Sequence, residues 1–274
     1  MQASIGWSRP QGVLRALLDS TADRVSALQA RSAELVAAAA AVRPPPSFLD
    51  ALRRGGSVAV IAEIKRQSPS KGVLNADIEA GDRARVYGTA GAAAISVLTE
   101  PSRFGGAIGD LADACGAGVP LLRKDFIIDR LQLVEARAHG ASAVLLIVRA
   151  LPPERIGELY ADAAALGLEC LVEAHDADEL DVAIAGGYRV IGVNNRNLET
   201  LAIDPGVGLE LLRRIPPGLV GVYESGIESR ADVERAAAAG ADAVLVGTAL
   251  SSSADPPAAL RALTGVPRQA RRAS

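Results

Sequence analysis

Glu63, Lys65, Lys124, Glu173 and Arg196 each stand at or just past the end of a short apolar run. In AVIAEIKRQSPSKG, residues 59–72, an Ala/Val run delivers Glu63, Lys65, Arg66 and Lys71 around a Ser-Pro-Ser turn. If the run is a strand, Glu63 and Lys65 share one face, because strand side chains alternate with a period of two. A lysine drawn out of water beside carboxylates is a candidate general acid, and the carboxylate a candidate base. Such a mixture of charges suits a substrate carrying a phosphate and a second anion. The same residues also read as a structural ion-pair network at a rim, which perturbs pKa values too. Convergence of five from separate runs favours a site.

Two later stretches could hold the phosphate. YESGI (223–227) and LVGTAL (245–250) each put a glycine and a hydroxyl residue between an apolar run and a helical pattern. Backbone N–H groups in such loops, aided by a helix N-terminus, bind phosphate after the last two strands of a barrel. Gly226, Gly247 and Thr248 are therefore candidate phosphate contacts, with Ser225 beside them. Either loop alone reads as an ordinary turn and helix cap; their pairing favours phosphate. His139, in a helical pattern, and His175, after the fifth run, read as packing or surface residues, and no carboxylate/His spacing suggests a metal site. Cys115 and Cys170 lack CxxC spacing and read as small buried hydrophobes.

The elements that must position these groups repeat. Eight apolar runs, at 57–65, 91–99, 119–125, 141–148, 167–173, 189–195, 218–225 and 241–248, alternate with stretches of helical periodicity. Strand, crossover helix and strand force a parallel sheet. Gly91, Gly118, Gly140, Gly167, Gly187 and Gly240 mark the turns from helix back to strand. Periodicity does not separate a closed barrel from an open doubly wound sheet. The polar residues do: an open nucleotide-binding sheet concentrates its signal in one early glycine-rich turn, whereas here nearly every run ends in function-bearing residues. Besides the groups above these are Arg123, Asn194, Asn195 and Glu224, and no GxGxxG follows the first run.

The reading is α/β, a (β/α)8 TIM barrel with an N-terminal helical extension. One domain is expected over 1–274, with the extension at about 1–47 and the barrel at about 57–264. Residues 11–42 carry apolar positions at helical spacing, and the prolines of RPPPSF end that pattern in a rigid connection. Trp7 and the closing RRAS read as loose termini. Of 274 residues 49% are hydrophobic and only 3% aromatic, so the core is built from Ala, Val, Leu and Ile, as in buried parallel strands. A net charge of -3, from nearly balanced acids and bases, gives no sign of a nucleic-acid or membrane surface. With no long apolar run and no signal-peptide pattern at the start, a cytoplasmic protein is expected.

The strings AEIKRQSPSKG, SVLTEPSRFGG, LLRKDFIID, LVEAH, IGVNNRNLET, ESGI and LVGTAL, in this order between residues 57 and 250, closely resemble indole-3-glycerol phosphate synthases. AEIKRQSPSKG and LLRKDFIID together are specific to that family; ESGI and VGT-like pieces recur in other phosphate-binding barrels. The resemblance implies a carboxy-lyase that cyclises 1-(2-carboxyphenylamino)-1-deoxyribulose 5-phosphate with loss of carbon dioxide and water, using neither metal nor organic cofactor. It implies Lys124 as general acid in ring closure and Lys65 and Glu63 in dehydration, with Lys65 also touching an anionic group. Glu173 and Asn194 would orient the substrate and stabilise positive charge on its anilino nitrogen. Ser68, Arg196, Glu224 and Ser225 follow as polar site residues, and Gly226, Gly247 and Thr248 as the phosphate cradle. The only expected partner is a small anionic sugar phosphate, bound by a monomer or weak homodimer. Tyr223 departs from the family pattern, which has a small residue before ESGI, and its ring either reshapes the pocket or packs outside it. Two other readings stand beside this one: a Schiff-base aldolase or isomerase with Lys124 as nucleophile, and a non-catalytic sugar-phosphate binder on the same fold.

Overall fold

The structure, a computed structural model, describes residues 8–197 and 201–271. Trp7, residues 198–200 and residues 272–274 lie outside them. Eight parallel strands close into a barrel: β1 (Ala59–Ile64), β2 (Ala94–Leu98), β3 (Leu121–Lys124), β4 (Ala143–Ile147), β5 (Glu169–Ala174), β6 (Val190–Asn194), β7 (Val220–Glu224) and β8 (Ala243–Val246). Each pairs with the next, and β8 returns to β1 with Ala59 opposite Ala243 and Ala62 opposite Val246. All eight fall on the predicted runs, β5 reaching one residue further. The six turn glycines all sit at positive φ, between 69° and 102°.

Both faces of the strands are buried. Val60, Ala62 and Ile64 of β1 pack outward with the helices, while Ala59 and Ile61 join the barrel interior. The interior is apolar at its base, with Ala59, Leu122, Leu171, Val190, Val220 and Ala243. Two residues on from such positions, the same inward alternation delivers Glu63, Lys124, Glu173 and, further along β6 and β7, Asn194 and Glu224. Charge thus collects at the C-terminal mouth because each strand runs one inward position past its apolar floor. The alternation also turns Arg123 outward, away from that mouth. It is buried behind the sheet, with Nη2 3.1 Å from Asp125 Oδ2 and Nη1 2.9 Å from Glu135 Oε2.

The N-terminal extension is more divided than its periodicity suggests. Helix α1 (Gly12–Gln29) buries Leu14, Leu17, Thr21 and Val25, and α2 (Ser32–Ala41) buries Leu35 and Ala39. The break at Ala30–Arg31 contains neither glycine nor proline. α1 covers the mouth, its Leu14 and Leu17 packing with Phe104 and Phe126. It is fastened there by Arg24, whose Nη2 and Nη1 lie 2.9 and 3.0 Å from the two oxygens of Asp125, the residue after Lys124. Beyond the prolines a third helix, α3 (Phe48–Arg53), was too short to show a period. It is capped by Ser47, whose hydroxyl accepts from Asp50 N at 3.1 Å, and it buries Phe48, Leu49 and Leu52 against the barrel floor.

Two expectations are corrected. Cys115 is exposed, on the turn after helix Gly109–Ala114, whereas Cys170 is buried on the outward face of β5. Arg271, the first residue of RRAS, is not loose. It lies 2.8 Å from Asp242 Oδ2 and also donates to the carbonyls of Gly240 and Leu219, which pins the C-terminal segment across the N-terminal end of the barrel. Among the described residues no helix is long and apolar enough to cross a membrane.

Candidate active site

One cavity opens at the C-terminal mouth, and Glu63, Lys65, Lys124, Glu173, Asn194, Arg196, Glu224, Ser225, Gly226, Gly247 and Thr248 all line it. Ser68 is the site candidate left out. It lies on a two-residue hairpin (Gln67–Ser68 with Gly72–Val73) and lines a smaller side cavity beneath α1, to which Lys65 and Arg196 also contribute. Lys65 Nζ lies 2.8 Å from Glu63 Oε1, the face-sharing that strand alternation requires. Lys124 Nζ lies 3.3 Å from both Glu173 Oε2 and Glu224 Oε2. Ser225, with φ at 66°, is a non-glycine residue held in the left-handed region, where its hydroxyl donates to Asn194 Oδ1 at 2.8 Å. Arg196 N donates to the same oxygen at 3.0 Å. The Arg196 guanidinium reaches Ser70 Oγ and the Leu201 carbonyl, each at 3.0 Å, tying the segment after β6 to the loop after β1.

The electrostatics follow from burial and pairing. Burial by itself lowers the Lys124 pKa, but the carboxylates of Glu173, Glu224 and Glu63 outweigh it and hold the ammonium above the ordinary lysine range. Burial also raises Glu173, and Lys124 with His175 outweighs it, so this carboxyl lies well below the carboxylate range. Glu224 goes the other way. Its Oε2 pairs with Lys124 at 3.3 Å, and burial together with the Glu173 charge raises its pKa against the pull of Lys124. Two carboxyls around one ammonium thus divide: Glu173 ionises readily and Glu224 retains its proton more strongly. Lys65, Lys124 and Arg196 then line the cavity with Glu63 and an ionised Glu173, and this cluster of basic side chains attracts an anion. Among the described residues no group of three or more His, Cys, Asp and Glu side chains could hold a metal ion.

Two inward glycines make room for the two glutamates. A Cβ on Gly192 of β6 would stand 2.2 Å from Glu224 Oε1; one on Gly247 would stand 2.1 Å from Glu63 Oε1 and 2.7 Å from Lys65 Nζ. Gly247 has φ of -115°, which any residue adopts, so its lack of a side chain answers to the Glu63–Lys65 pair and not to backbone conformation. Gly247→Ala is therefore expected to fold, displace that pair and lower kcat by about tenfold to a hundredfold, since a misplacement of about 1 Å costs that much. If instead the glycine serves only close approach of a phosphate, steady-state kinetics would show the loss in KM with kcat unchanged.

A family model described as indole-3-glycerol phosphate synthase matches residues 14–263. The chain belongs to the indole-3-glycerol phosphate synthase family. It is 47% identical over 223 residues to the indole-3-glycerol phosphate synthase of Dehalococcoides mccartyi, covering 80% of this chain and 86% of that one. With indole-3-glycerol phosphate synthase 2 of Streptomyces coelicolor it shares 46% identity over 258 residues, 93% of this chain and 99% of the relative. Two solved structures share the fold alone. The Pyrococcus furiosus thiamine phosphate pyrophosphorylase has a TM-score of 0.56 at 15% identity, covering 79% of this chain and 96% of that one. An N-acetylmannosamine-6-phosphate 2-epimerase from Clostridium perfringens gives 0.56 at 15%, covering 76% and 93%. As a member of the indole-3-glycerol phosphate synthase family the chain is a decarboxylating carboxy-lyase.

Within this barrel, Tyr223 packs on the outside. Its ring is buried among the outer-layer residues and its hydroxyl donates to the Pro205 carbonyl at 3.2 Å, so it does not enter the cavity. Strand alternation decides this, since Tyr223 neighbours inward Glu224 and points the opposite way. The sequence marks Asn195 only as a polar residue at a run end and His175 only as a packing or surface residue; the structure buries His175 beside Glu173, and the Asn195 amide donates to the carbonyls of Glu224 and Ser225 at 2.8 Å each. The signal for His175 was available: it stands two residues beyond Glu173.

Proposed function

We propose that this cavity cyclises 1-(2-carboxyphenylamino)-1-deoxyribulose 5-phosphate to indole-3-glycerol phosphate, with Lys124 as the general acid of ring closure. The observation that carries the reading is the Lys124 ammonium, partly buried and held by Glu173 and Glu224. The ring carbon bearing the carboxylate attacks the C2 carbonyl carbon, and the carbonyl oxygen takes a proton from Lys124 as the bond forms. An ammonium has three N–H donors, so two carboxylates leave one for that oxygen. Carbon dioxide then departs, leaving its bonding pair to restore the aromatic ring. The new hydroxyl leaves as water and a proton leaves C1. Lys65 and Glu63, paired at the end of β1, are the acid and base for this step.

Asn194 Oδ1 already accepts from Ser225 and Arg196, so its NH2 group is what remains for the substrate. That donor suits a sugar oxygen or a carboxylate, and the stabilisation of a cationic anilino nitrogen falls to Glu173. Leu98, Phe126, Leu145, Ile147 and Leu245 give the aromatic ring an apolar wall. Ser225, Gly226, Gly247 and Thr248 take the phosphate, and Arg196 the carboxylate. A Schiff base on Lys124 requires a neutral amine, which its two carboxylates oppose. The purified protein with this substrate is expected to produce indole fluorescence together with carbon dioxide. A covalent adduct on Lys124 after borohydride treatment with substrate, without indole formation, would replace this reading with the aldolase.

A further inference from the structure

His175 ends the motif LVEAH and has no part in the chemistry above. Its ring is buried. Nδ1 lies 3.0 Å from Glu179 Oε2, and Nε2, which makes no aligned hydrogen bond, lies 3.2 Å from Glu173 Oε1 as an ion pair. The other Glu173 oxygen, Oε2, is the one that meets Lys124. Glu179 is itself fixed: its Oε2 accepts from His175 N at 2.8 Å, its Oε1 accepts from Arg149 Nε, and Arg149 Nη2 lies 2.8 Å from Asp176 Oδ2. The result is an alternating row from Arg149 through Glu179, His175 and Glu173 to Lys124, anchored on the helix Ala177–Ala185 and ending at the reacting lysine.

We propose that His175 is a positioning residue for Glu173, holding Oε1 from behind so that Oε2 stays turned to Lys124. A carboxylate on a strand end rotates about its last torsions unless both oxygens are engaged, and the broad sp2 torsion offers little resistance of its own. Lys124 engages one oxygen, and its partner there changes when the lysine gives up its proton. His175 supplies a contact on the other oxygen that the reaction does not consume. The groups facing the imidazole are Glu173 on β5, Glu179 and Asp176 at the start of the following helix, and Arg149 after β4 behind Glu179; Lys124 on β3 and Glu224 on β7 lie beyond Glu173. Burial lowers the His175 pKa, but Glu173 and Glu179 outweigh it and push it up to about 9, so the ring carries a proton for each carboxylate at neutral pH.

The proposal rests on Glu173 acting in the reaction, and two side chains of different length separate the two ideas. In His175→Gln the amide reaches the position of Nε2 and keeps a donor for Glu173; in His175→Asn it reaches only the position of Nδ1 and keeps the donor for Glu179. His175→Asn is expected to lower kcat by about tenfold to a hundredfold, with KM within about threefold, and His175→Gln to recover most of that loss. The acid limb of the kcat profile should move to higher pH in His175→Gln, because a neutral amide stabilises the Glu173 carboxylate less than a cation does. Rescue by Asn instead of Gln, or wild-type kcat in His175→Asn, overturns the proposal. Full activity in Glu173→Gln overturns the reading of Glu173 itself. Should the His175 variants not fold, nitrogen NMR of the intact protein decides, since the chain has only two histidines. The His175 titration should fall by at least one pH unit in Glu173→Gln, a tenfold change in proton affinity; an unmoved titration overturns the contact.

Discussion

Lys124→Ala is expected to lower kcat by at least about a hundredfold with KM little changed, the pattern left when a proton donor used only in the transition state is removed. The substitution removes a cation that lies 3.3 Å from both Glu173 and Glu224. Residual turnover should also respond differently to pH. In the intact site the Lys124 charge helps keep Glu173 ionised against its burial. Without it, burial acts unopposed at that end, the Glu173 pKa rises, and the acid limb of any residual activity shifts to higher pH. Near-ultraviolet circular dichroism and a urea midpoint on the same protein separate loss of chemistry from loss of fold. Undiminished kcat in a folded Lys124→Ala protein would remove the general acid from this position, and an equal loss in Lys65→Ala with normal Lys124→Ala would transfer the role to β1.

The site could be read from sequence only where its geometry follows from local periodicity. Glu63 and Lys65 are two residues apart on one strand, so alternation places them together, and the 2.8 Å contact between them is the consequence. The same rule turns Tyr223 outward and His175 inward, although neither direction was drawn from it. The eight strands were legible because apolar runs and turn glycines recur at every unit. Helix α3 was not, because FLDALR spans too few turns to show a period, and the break between α1 and α2 lacks the residues that punctuate helices. Least legible were contacts between distant positions. Arg24 and Asp125 are 101 residues apart, and Arg271 reaches back to Gly240 and Leu219. Nothing in the pattern near either arginine names its partner, and for Gly247 the sequence marks the glycine without revealing that two side chains of β1 occupy the space above it.

Arg123→Met should produce the largest loss of stability, about 3–5 kcal/mol, the cost of breaking a buried ion pair from one side. Arg123 is 1% exposed, and its guanidinium serves four acceptors: Asp125 Oδ2 at 3.1 Å, Glu135 Oε2 at 2.9 Å, the Gln132 carbonyl at 2.8 Å and Thr99 Oγ1 at 3.3 Å. Methionine fills most of the volume but donates to none of them. Asp125 keeps Arg24, whereas Glu135 loses the charge facing it. For a chain of this size the expected fall in melting temperature is on the order of 10 °C. The sign of the pH dependence follows from Asp125. Burial raises its pKa, but Arg123, Arg24 and Thr99 outweigh that and hold it well below the carboxylate range. A group depressed on folding contributes stability above its unfolded pKa of about 3.9, and the contribution is lost as pH falls through the folded value. Arg123→Met shrinks that contribution, so its deficit against the intact protein should be full at neutral pH and should narrow as pH drops below about 4. Arg24→Met, removing the same carboxylate's half-exposed partner, should cost less, and the double variant should depart from additivity because both arginines share Asp125. At 20 °C, well below the melting range, kcat of Arg123→Met should stay within about tenfold of normal, because Lys124 keeps both carboxylates on the opposite face of β3. A kcat loss as large as that of Lys124→Ala, in a protein of unchanged urea midpoint, would mean that the outward network acts in the reaction and not in holding the strand.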